Sequence, residues 1–338
     1  MPDLYLPREL RGEALHPAAF AGVPGFEQVA RFGTRVALRN GWREWLLART
    51  GRAELARVAP ACIAAAALAA PRNEPPPNSV PWIAIAVHLR AGLTRVHLDH
   101  GGLLRLSSPE QLELAAGFGR TFGSSGHALT PLPAGEFLLD TPGLAAVPTA
   151  EPERCVGGDS GELVAGGTGG APLRRLLSEI EMWLHTQPLN AVRVSSGAAP
   201  VTALWPWGSS GRIVRPELRP SPQAPLAFGR DAWLEGLWRL QGQEVRAPPE
   251  RLETILAGPA GAGVLLAEAG GELHADRDTL ADAVSRIDRR YVSPAVAALR
   301  NGTLDELALI LNDAHLQLQR ASLRRFWRRA RGGLTGFA

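Results

Sequence analysis

One stretch constrains this chain more than any other: Leu173 to Gly211, which reads LRRLLSEIEMWLHTQPLNAVRVSSGAAPVTALWPWGSSG. Leu173, Leu176, Leu177, Ile180 and Leu184 recur every three or four residues, so a helix over Leu173–Thr186 would bury all five on one face. Arg174, Ser178, Glu181 and His185 form the adjoining stripe, which sets Glu181 and His185 one turn apart. A carboxylate beside an imidazole can tune it for acid–base chemistry, or it can be a plain surface pair. Beyond Pro188, a loop carries Asn190 and Arg193, an amide and a guanidinium spaced to grip a carboxylate or phosphate, or else to hold the loop's own carbonyls. A strand over Pro200–Trp205 then runs into Trp-Pro-Trp-Gly, where Trp205 and Trp207 could wall a pocket or fill a core, and Gly208 could bring backbone amides to an anion.

The rest of the chain narrows the class. At 338 residues and 45% hydrophobic it can bury one large α/β unit or two lobes. The expected division is an N-terminal lobe over 1–156, a glycine-rich linker over 157–171, and a C-terminal lobe over 172–338. The GGTGG inside that linker fits neither phosphate-loop spacing. Cys62 and Cys155 stand apart without CxxC or histidine neighbours, so no disulfide or zinc framework is expected. The most apolar run, 59–70, falls short of the roughly twenty residues a membrane span needs. With an N-terminus broken early by proline and charge, this predicts a soluble, cytoplasmic protein with no membrane partner. The net charge is only +3 and every basic side chain is Arg, scattered along the chain except near the C-terminus. That distribution argues against nucleic acid as the main partner.

Taken in order, residues 1–25 read as irregular, and 26–37 and 42–48 as helical. Residues 59–70 fit a buried strand or a helix, 71–81 a solvated loop, and 82–89 and 94–98 strands. His88, His97 and His100 lie close in sequence, but strand alternation and the presence of only Asp99 nearby favour ordinary strand and turn histidines over a metal site. Ser108 caps a helix running to Phe122, with Gln111 as the reciprocal partner. Short strands follow at 128–132 and 136–139, a helix at 230–240, a strand at 263–267, and helices at 277–290 and 294–299. Thr303 with Glu306, then Leu304, Leu307, Leu311, Ala314 and Leu318, predict a last helix continuing past Ser322 into the basic RRFWRR run.

The EIEMWLH at 179–185, N-x-x-R at 190–193, Gly197 and LWPWG at 204–208 resemble the RpfE-type regulatory proteins, often labelled phosphoglycerate mutase-like. AVHL at 86–89, the LLRL and Ser-Pro-Glu that follow, and RRFWRR at 324–329 match less specifically. The same region looks like archaeal-type cofactor-independent phosphoglycerate mutases of the alkaline phosphatase superfamily. That resemblance implies an α/β fold, a mixed sheet flanked by helices, here in degenerate form with a basic C-terminal helix. It also implies a two-metal site, but this chain has no Asp-Gly followed by acidic residues after a first strand and no Asp-His-Gly strand end. Asp313-Ala314-His315 comes nearest and falls within the expected last helix. Thr202 occupies the position of the family's second Asn.

The reading that follows is a phosphoglycerate mutase-like regulatory protein without the two-metal centre and without a cofactor. It keeps a pocket for a phosphorylated or carboxylate small molecule among Glu181, His185, Asn190, Arg193, Thr202, Trp205, Trp207 and Gly208. One alternative is an active phosphoglycerate mutase or phosphohydrolase using Mn or Mg. Another is a nucleic-acid-binding regulator that uses Arg324, Arg325, Arg328 and Arg329 around Phe326 and Trp327.

Overall fold

Two separate sheets organise the chain in the computed structural model, which describes residues 2–6, 23–38, 41–68, 78–91, 96–152, 155–156, 168–222, 224–256, 263–266, 280–311 and 314–324. In chain order the first elements are β1 (Pro2–Leu6), α1 (Pro24–Phe32), β2 (Thr34–Ala37), α2 (Gly41–Arg49) and α3 (Pro60–Ala64). There follow β3 (Ser79–Ala91), β4 (Val96–Leu104), α4 (Ser108–Phe122), β5 (Ala128–Pro131) and β6 (Phe137–Pro142). Next come α5 (Ala171–His185), α6 (Pro188–Ser195), β7 (Ala203–Trp207), β8 (Leu226–Phe228), α7 (Ala232–Arg239) and β9 (Val245–Arg246). The chain closes with α8 (Leu252–Leu256), β10 (Gly263–Leu266), α9 (Leu280–Ile287), α10 (Ser293–Asn301), β11 (Glu306–Leu311) and β12 (Ala314–Gln319). This is a mixed α/β architecture with helices flanking the sheets, as expected. Among the described residues, no helix is long and apolar enough to cross a membrane.

The first compact unit joins residues 1–56, 223–229 and 244–338. Its sheet runs β2-β12-β11-β1-β10-β8-β9, parallel from β11 to β9 and antiparallel through β12 and β2. Helices α1, α9 and α10 pack Phe26, Val29, Val284, Ile287, Val296 and Leu299 into its core. A buried carboxylate ties this layer together: Asp288 accepts from the amides of Gly25 (3.3 Å) and Phe26 (2.9 Å) at the start of α1 and from Ser293 Oγ (2.7 Å). The helix's orphan amides are thereby satisfied by a residue far along the chain.

The second unit joins residues 57–222 and 230–243. The two units therefore interleave along the chain, and the division does not coincide with the expected boundary at 157–171. A strand has two edges, and the pairings of β3 assign them. Ile83 pairs with both Leu138 of β6 and Trp207 of β7, and Ala86 with both Leu104 of β4 and Leu204 of β7. Hence β7 lies along one edge of β3, while β6 and β4 share the other, end to end. One face of this sheet is covered by α4, α5 and α6, and their core includes all five residues predicted for α5, namely Leu173, Leu176, Leu177, Ile180 and Leu184.

Several local expectations change, and one left open is decided. Pro2–Leu6 is a strand rather than irregular chain, and Thr34–Ala37 a strand rather than helix; 60–67, open between strand and helix, is helical, α3 continuing into a 3-10 turn. The cap of α4 is Ser107, not Ser108: Glu110 Oε2 accepts from both the Ser107 amide and hydroxyl at 2.7 Å. Gln111, the expected reciprocal partner, turns inward and donates to the carbonyls of Leu132 (2.9 Å) and Glu136 (2.5 Å). The predicted last helix is instead the antiparallel pair β11 and β12, with Leu307 opposite Leu318 and Leu309 opposite Leu316. Leu307, Ala308, Leu309 and Ile310 are all buried, the mark of a strand covered on both faces rather than of a helix with one apolar stripe. Arg324 lies in a 3-10 turn. Residues 325–338, residues 157–167 of the expected glycine-rich linker, and Asp313 lie outside the described residues.

Candidate functional site

The residues that carry the family resemblance come together in the second unit, and they do so as a frame. Asn190 sits on α6, not in a loop, because Pro188 starts a helix at its first turn. Its Nδ2 donates to the carbonyls of Leu184 (2.9 Å) and Val201 (2.9 Å), and its Oδ1 accepts from the Val201 amide (2.8 Å). One side chain thus binds the end of α5 to the segment that leads into β7. Thr202 continues the ladder beside β3, where its Oγ1 accepts from the Leu89 amide (2.7 Å) and donates to the Val87 carbonyl (3.2 Å). Those contacts flank the register shift between Val87 and Leu89. His88 Nδ1 lies 3.0 Å from the Pro200 carbonyl, a structural contact.

Arg193 closes the frame. Its Nε donates to the Ala199 carbonyl (2.7 Å) and its Nη1 to Glu110 Oε1 (2.5 Å), in an ion pair only 11% and 24% exposed. Burial alone would raise the Glu110 carboxyl, but the Ser107 amide and hydroxyl and the Arg193 charge together hold it below the usual carboxylate range. The Ser-Pro-Glu start of α4, the N-x-x-R of α6 and the AVHL of β3 are therefore parts of one hydrogen-bonded assembly.

Trp205 and Trp207 are buried in the core, and the Trp205 indole donates to the Ala150 carbonyl (2.9 Å). Gly208 adopts φ 80°, and its carbonyl accepts from the Ala61 amide (2.9 Å), locking the turn after β7 onto α3. Glu181 and His185 lie on the exposed side of α5, and neither makes a hydrogen bond or ion pair among the described residues. Partial burial raises the Glu181 carboxyl. The structure thus joins Asn190, Arg193 and Thr202 in the frame, places Trp205 and Trp207 in the core and Gly208 in the turn after β7, and leaves Glu181 and His185 outside.

Next to this frame, in the same unit, opens a cleft of about 570 Å³. Its polar wall is Arg105, Ser107 and Ser108 before and at the start of α4, then Gln111, Ala134 and Arg230. Arg105 is exposed, and its Nη1 donates to the carbonyls of Ala134 (3.0 Å) and Arg230 (2.9 Å). The Ala134 carbonyl is presented by a turn with two successive left-handed residues, Ala134 (φ 66°) and Gly135 (φ 82°). A Cβ on Gly135 would meet the Leu106 amide nitrogen at 2.8 Å, so glycine is required there. Behind the wall, Asp231 Oδ1 accepts from the Leu234 amide (2.6 Å) and Glu136 Oε2 from the Ala232 amide (3.3 Å). Both buried carboxylates thus serve the start of α7. Sequence reasoning passed over Arg105 and Arg230. The available signal was an arginine one or two residues ahead of each helix cap, Ser107 and Asp231.

Among the described residues, no group of three or more His, Cys, Asp or Glu side chains converges to hold a metal ion. The two-metal site implied by the resemblance is thus not built from them. No family model matches the chain, and no curated protein matches it in sequence. Among solved structures it is similar to a cofactor-independent phosphoglycerate mutase from Thermoplasma acidophilum, at 16% identity and a TM-score of 0.37, over 94% of this chain and 88% of that one. It is also similar to the PH0037 protein of Pyrococcus horikoshii, at 13% identity and a TM-score of 0.43, over 94% and 87% of the two chains.

Proposed function

We propose that this chain is a phosphoglycerate mutase-like regulatory protein that binds a phosphorylated or carboxylate small molecule without turning it over. The observation that supports this reading is the fate of the family-like side chains. Asn190, Arg193 and Thr202 hold helices and strands together instead of converging on a reactive centre. In this reading the resemblance extends to architecture, not to chemistry, and the ligand is recognised by charge and shape. Regulation then comes from the binding free energy itself, because a ligand that binds only the folded protein shifts its equilibria.

Thermal unfolding of the purified protein with 3-phosphoglycerate, with and without manganese, tests this. At a hundred times its dissociation constant a ligand adds about 2.7 kcal/mol, an easily measured rise in Tm. A rise independent of manganese, with no change in the ligand after prolonged incubation, is the expected result. A rise that needs manganese, with interconversion of phosphoglycerates, would establish the metal-dependent enzyme instead. No rise with any phosphorylated or carboxylate compound would remove the ligand-binding reading.

A further inference from the structure

Residues 212–221 of the second unit form a strap that is fixed at both ends and open between them. At one end the Arg212 amide donates to the Arg57 carbonyl (2.8 Å), and the Arg212 carbonyl accepts from the Ala59 amide (3.0 Å). At the other, the amides of Arg219 and Ser221 donate to the carbonyls of Leu240 (2.8 Å) and Gln241 (2.9 Å). From 213 to 221 the chain has no helix, turn or bend. Pro216, Pro220 and Pro222 explain this, since each pushes the residue before it into an extended conformation. We infer that the strap is a docking edge for an extended acidic segment of another protein, which adds to it as a strand whose centre reads acidic, apolar, apolar, acidic. The strap lies outside the cleft and the frame, so this role is separate from ligand binding.

Three features support this. First, the strap shows water what a fold normally covers. Ile213 (40%), Val214 (38%) and Leu218 (62%) are three of the nine large apolar side chains exposed among the described residues, and they stand together within 213–218. Second, Ile213, Val214, Arg215 and Leu218 make no hydrogen bond among the described residues, through backbone or side chain. Successive backbone groups of an extended chain point to opposite edges. Those of Ile213 and Arg215 therefore face away from the edge on which Arg212 meets Arg57 and Ala59. An ordered, unpaired edge of this kind is a template for an added strand. Third, the local charge is positive. Arg57, Arg212 and Arg215 are exposed, and none of their side chains makes a hydrogen bond or ion pair among the described residues. Glu217, the strap's one carboxylate, is met by Arg219 (3.1 Å). Arg212-Ile213-Val214-Arg215 thus sets a cation at each end of an apolar pair, and the cross-strand neighbours that satisfy it are an acid, two apolar residues and an acid. A lipid surface matches the charge and the apolar side chains but leaves the open backbone groups unsatisfied. A second copy pairing over the same four residues in antiparallel register would set Arg212 against Arg215.

Fluorescence anisotropy of the full chain with two labelled peptides tests the assignment, one built on Glu-Ile-Val-Glu and the other on Lys-Ile-Val-Lys. Wild-type protein should bind the acidic peptide about tenfold more tightly than the basic one, and less tightly as salt rises. N-methylation of the acidic peptide's backbone amides should remove binding, because an added strand needs them. Arg212→Glu combined with Arg215→Glu should leave Tm unchanged, since neither side chain has a partner in the fold, and should transfer the preference to the basic peptide. An unreversed preference in that variant would put the acidic peptide elsewhere and overturn the assignment. Equal binding of both peptides, binding of neither, or full affinity for the N-methylated peptide would overturn it as well. Two other occupants have their own signatures, and either would displace the proposal. Wild-type dimers in sedimentation that the variant loses would give the strap to a second copy. Binding to phosphatidylglycerol vesicles that the variant loses, without peptide binding, would give it to a lipid surface.

Discussion

Two arginines of the same unit, Arg193 and Arg105, show how the partner decides what a guanidinium does. Arg193 is mostly buried, and its partner is a carboxylate, so its charge is matched internally and its geometry serves the fold. Arg105 is exposed, and its Nη1 donates to two backbone carbonyls at the solvent side of the unit, so it fastens one turn to another rather than joining helices through the core. The first belongs to the stretch that looks most like a binding motif; the second lies in the LLRL run before a helix, which matches less specifically. A motif residue is thus no guide to a ligand until its partners and its burial are known.

The comparison is broken most directly by removing the buried cation. Arg193→Ala leaves Glu110 ionised and poorly solvated, and breaking a buried pair from one side costs about 3 kcal/mol or more. The expected outcome is a loss of that size in denaturant unfolding, whereas Arg105→Ala costs under about 1 kcal/mol as a surface change. Arg193→Ala with Glu110→Gln should recover part of the loss, since no charge is then stranded. Equal, small effects from Arg193→Ala and Arg105→Ala would erase the distinction between the buried pair and the exposed contact. Asn190→Ala is the next test. It deletes three hydrogen bonds and strands the Val201 amide, for an expected cost of about 2 kcal/mol. A neutral result would mean that α6 is held by apolar packing alone.

How much of this was legible beforehand follows from the range of each interaction. The five-residue apolar face of α5 was read directly, because helical periodicity is local and the same face is buried in the structure. The strands at 128–131 and 137–142 were legible for the same reason. The C-terminal pair was misread because Leu304, Leu307, Leu311, Ala314 and Leu318 fit a helical period by coincidence. The alternation of Leu316-Gln317-Leu318-Gln319 was the true signal, and burial of every side chain from Leu307 to Ile310 blurred the pattern on β11. The arginines were not separable at all. Arg193 meets Glu110 at a separation of 83 residues, and Arg105 meets the Arg230 carbonyl at 125. Only the sheet, with β7 on one edge of β3 and β4 on the other, brings Arg193 to Glu110.

The cleft's own wall offers a smaller test. Ala134 holds a left-handed conformation that glycine adopts without strain, and it offers its carbonyl to Arg105 from there. Ala134→Gly should leave stability within about 1 kcal/mol, relief of strain being offset by greater freedom in the unfolded chain. A loss well above 1 kcal/mol in denaturant unfolding would mean that the rigidity of this turn, and the Arg105 contact made from it, help to hold the fold.

The smallest effect comes from α7, whose start carries the cleft's second arginine. Burial, then the nearby charge of Asp231, push the Glu235 carboxyl from 4.5 up to about 7, against a weaker opposing pull from Arg239. A folded pKa above the unfolded one means that the folded protein binds more protons across that interval. The Glu235 contribution should therefore be fullest below about pH 4.5 and be lost as pH rises through about 7. Glu235 is partly open to water, so screening keeps the change to about 0.5 kcal/mol. Glu235→Gln should flatten the decline, gaining stability at pH 8 and nothing at pH 4.5, as read by Tm across the series.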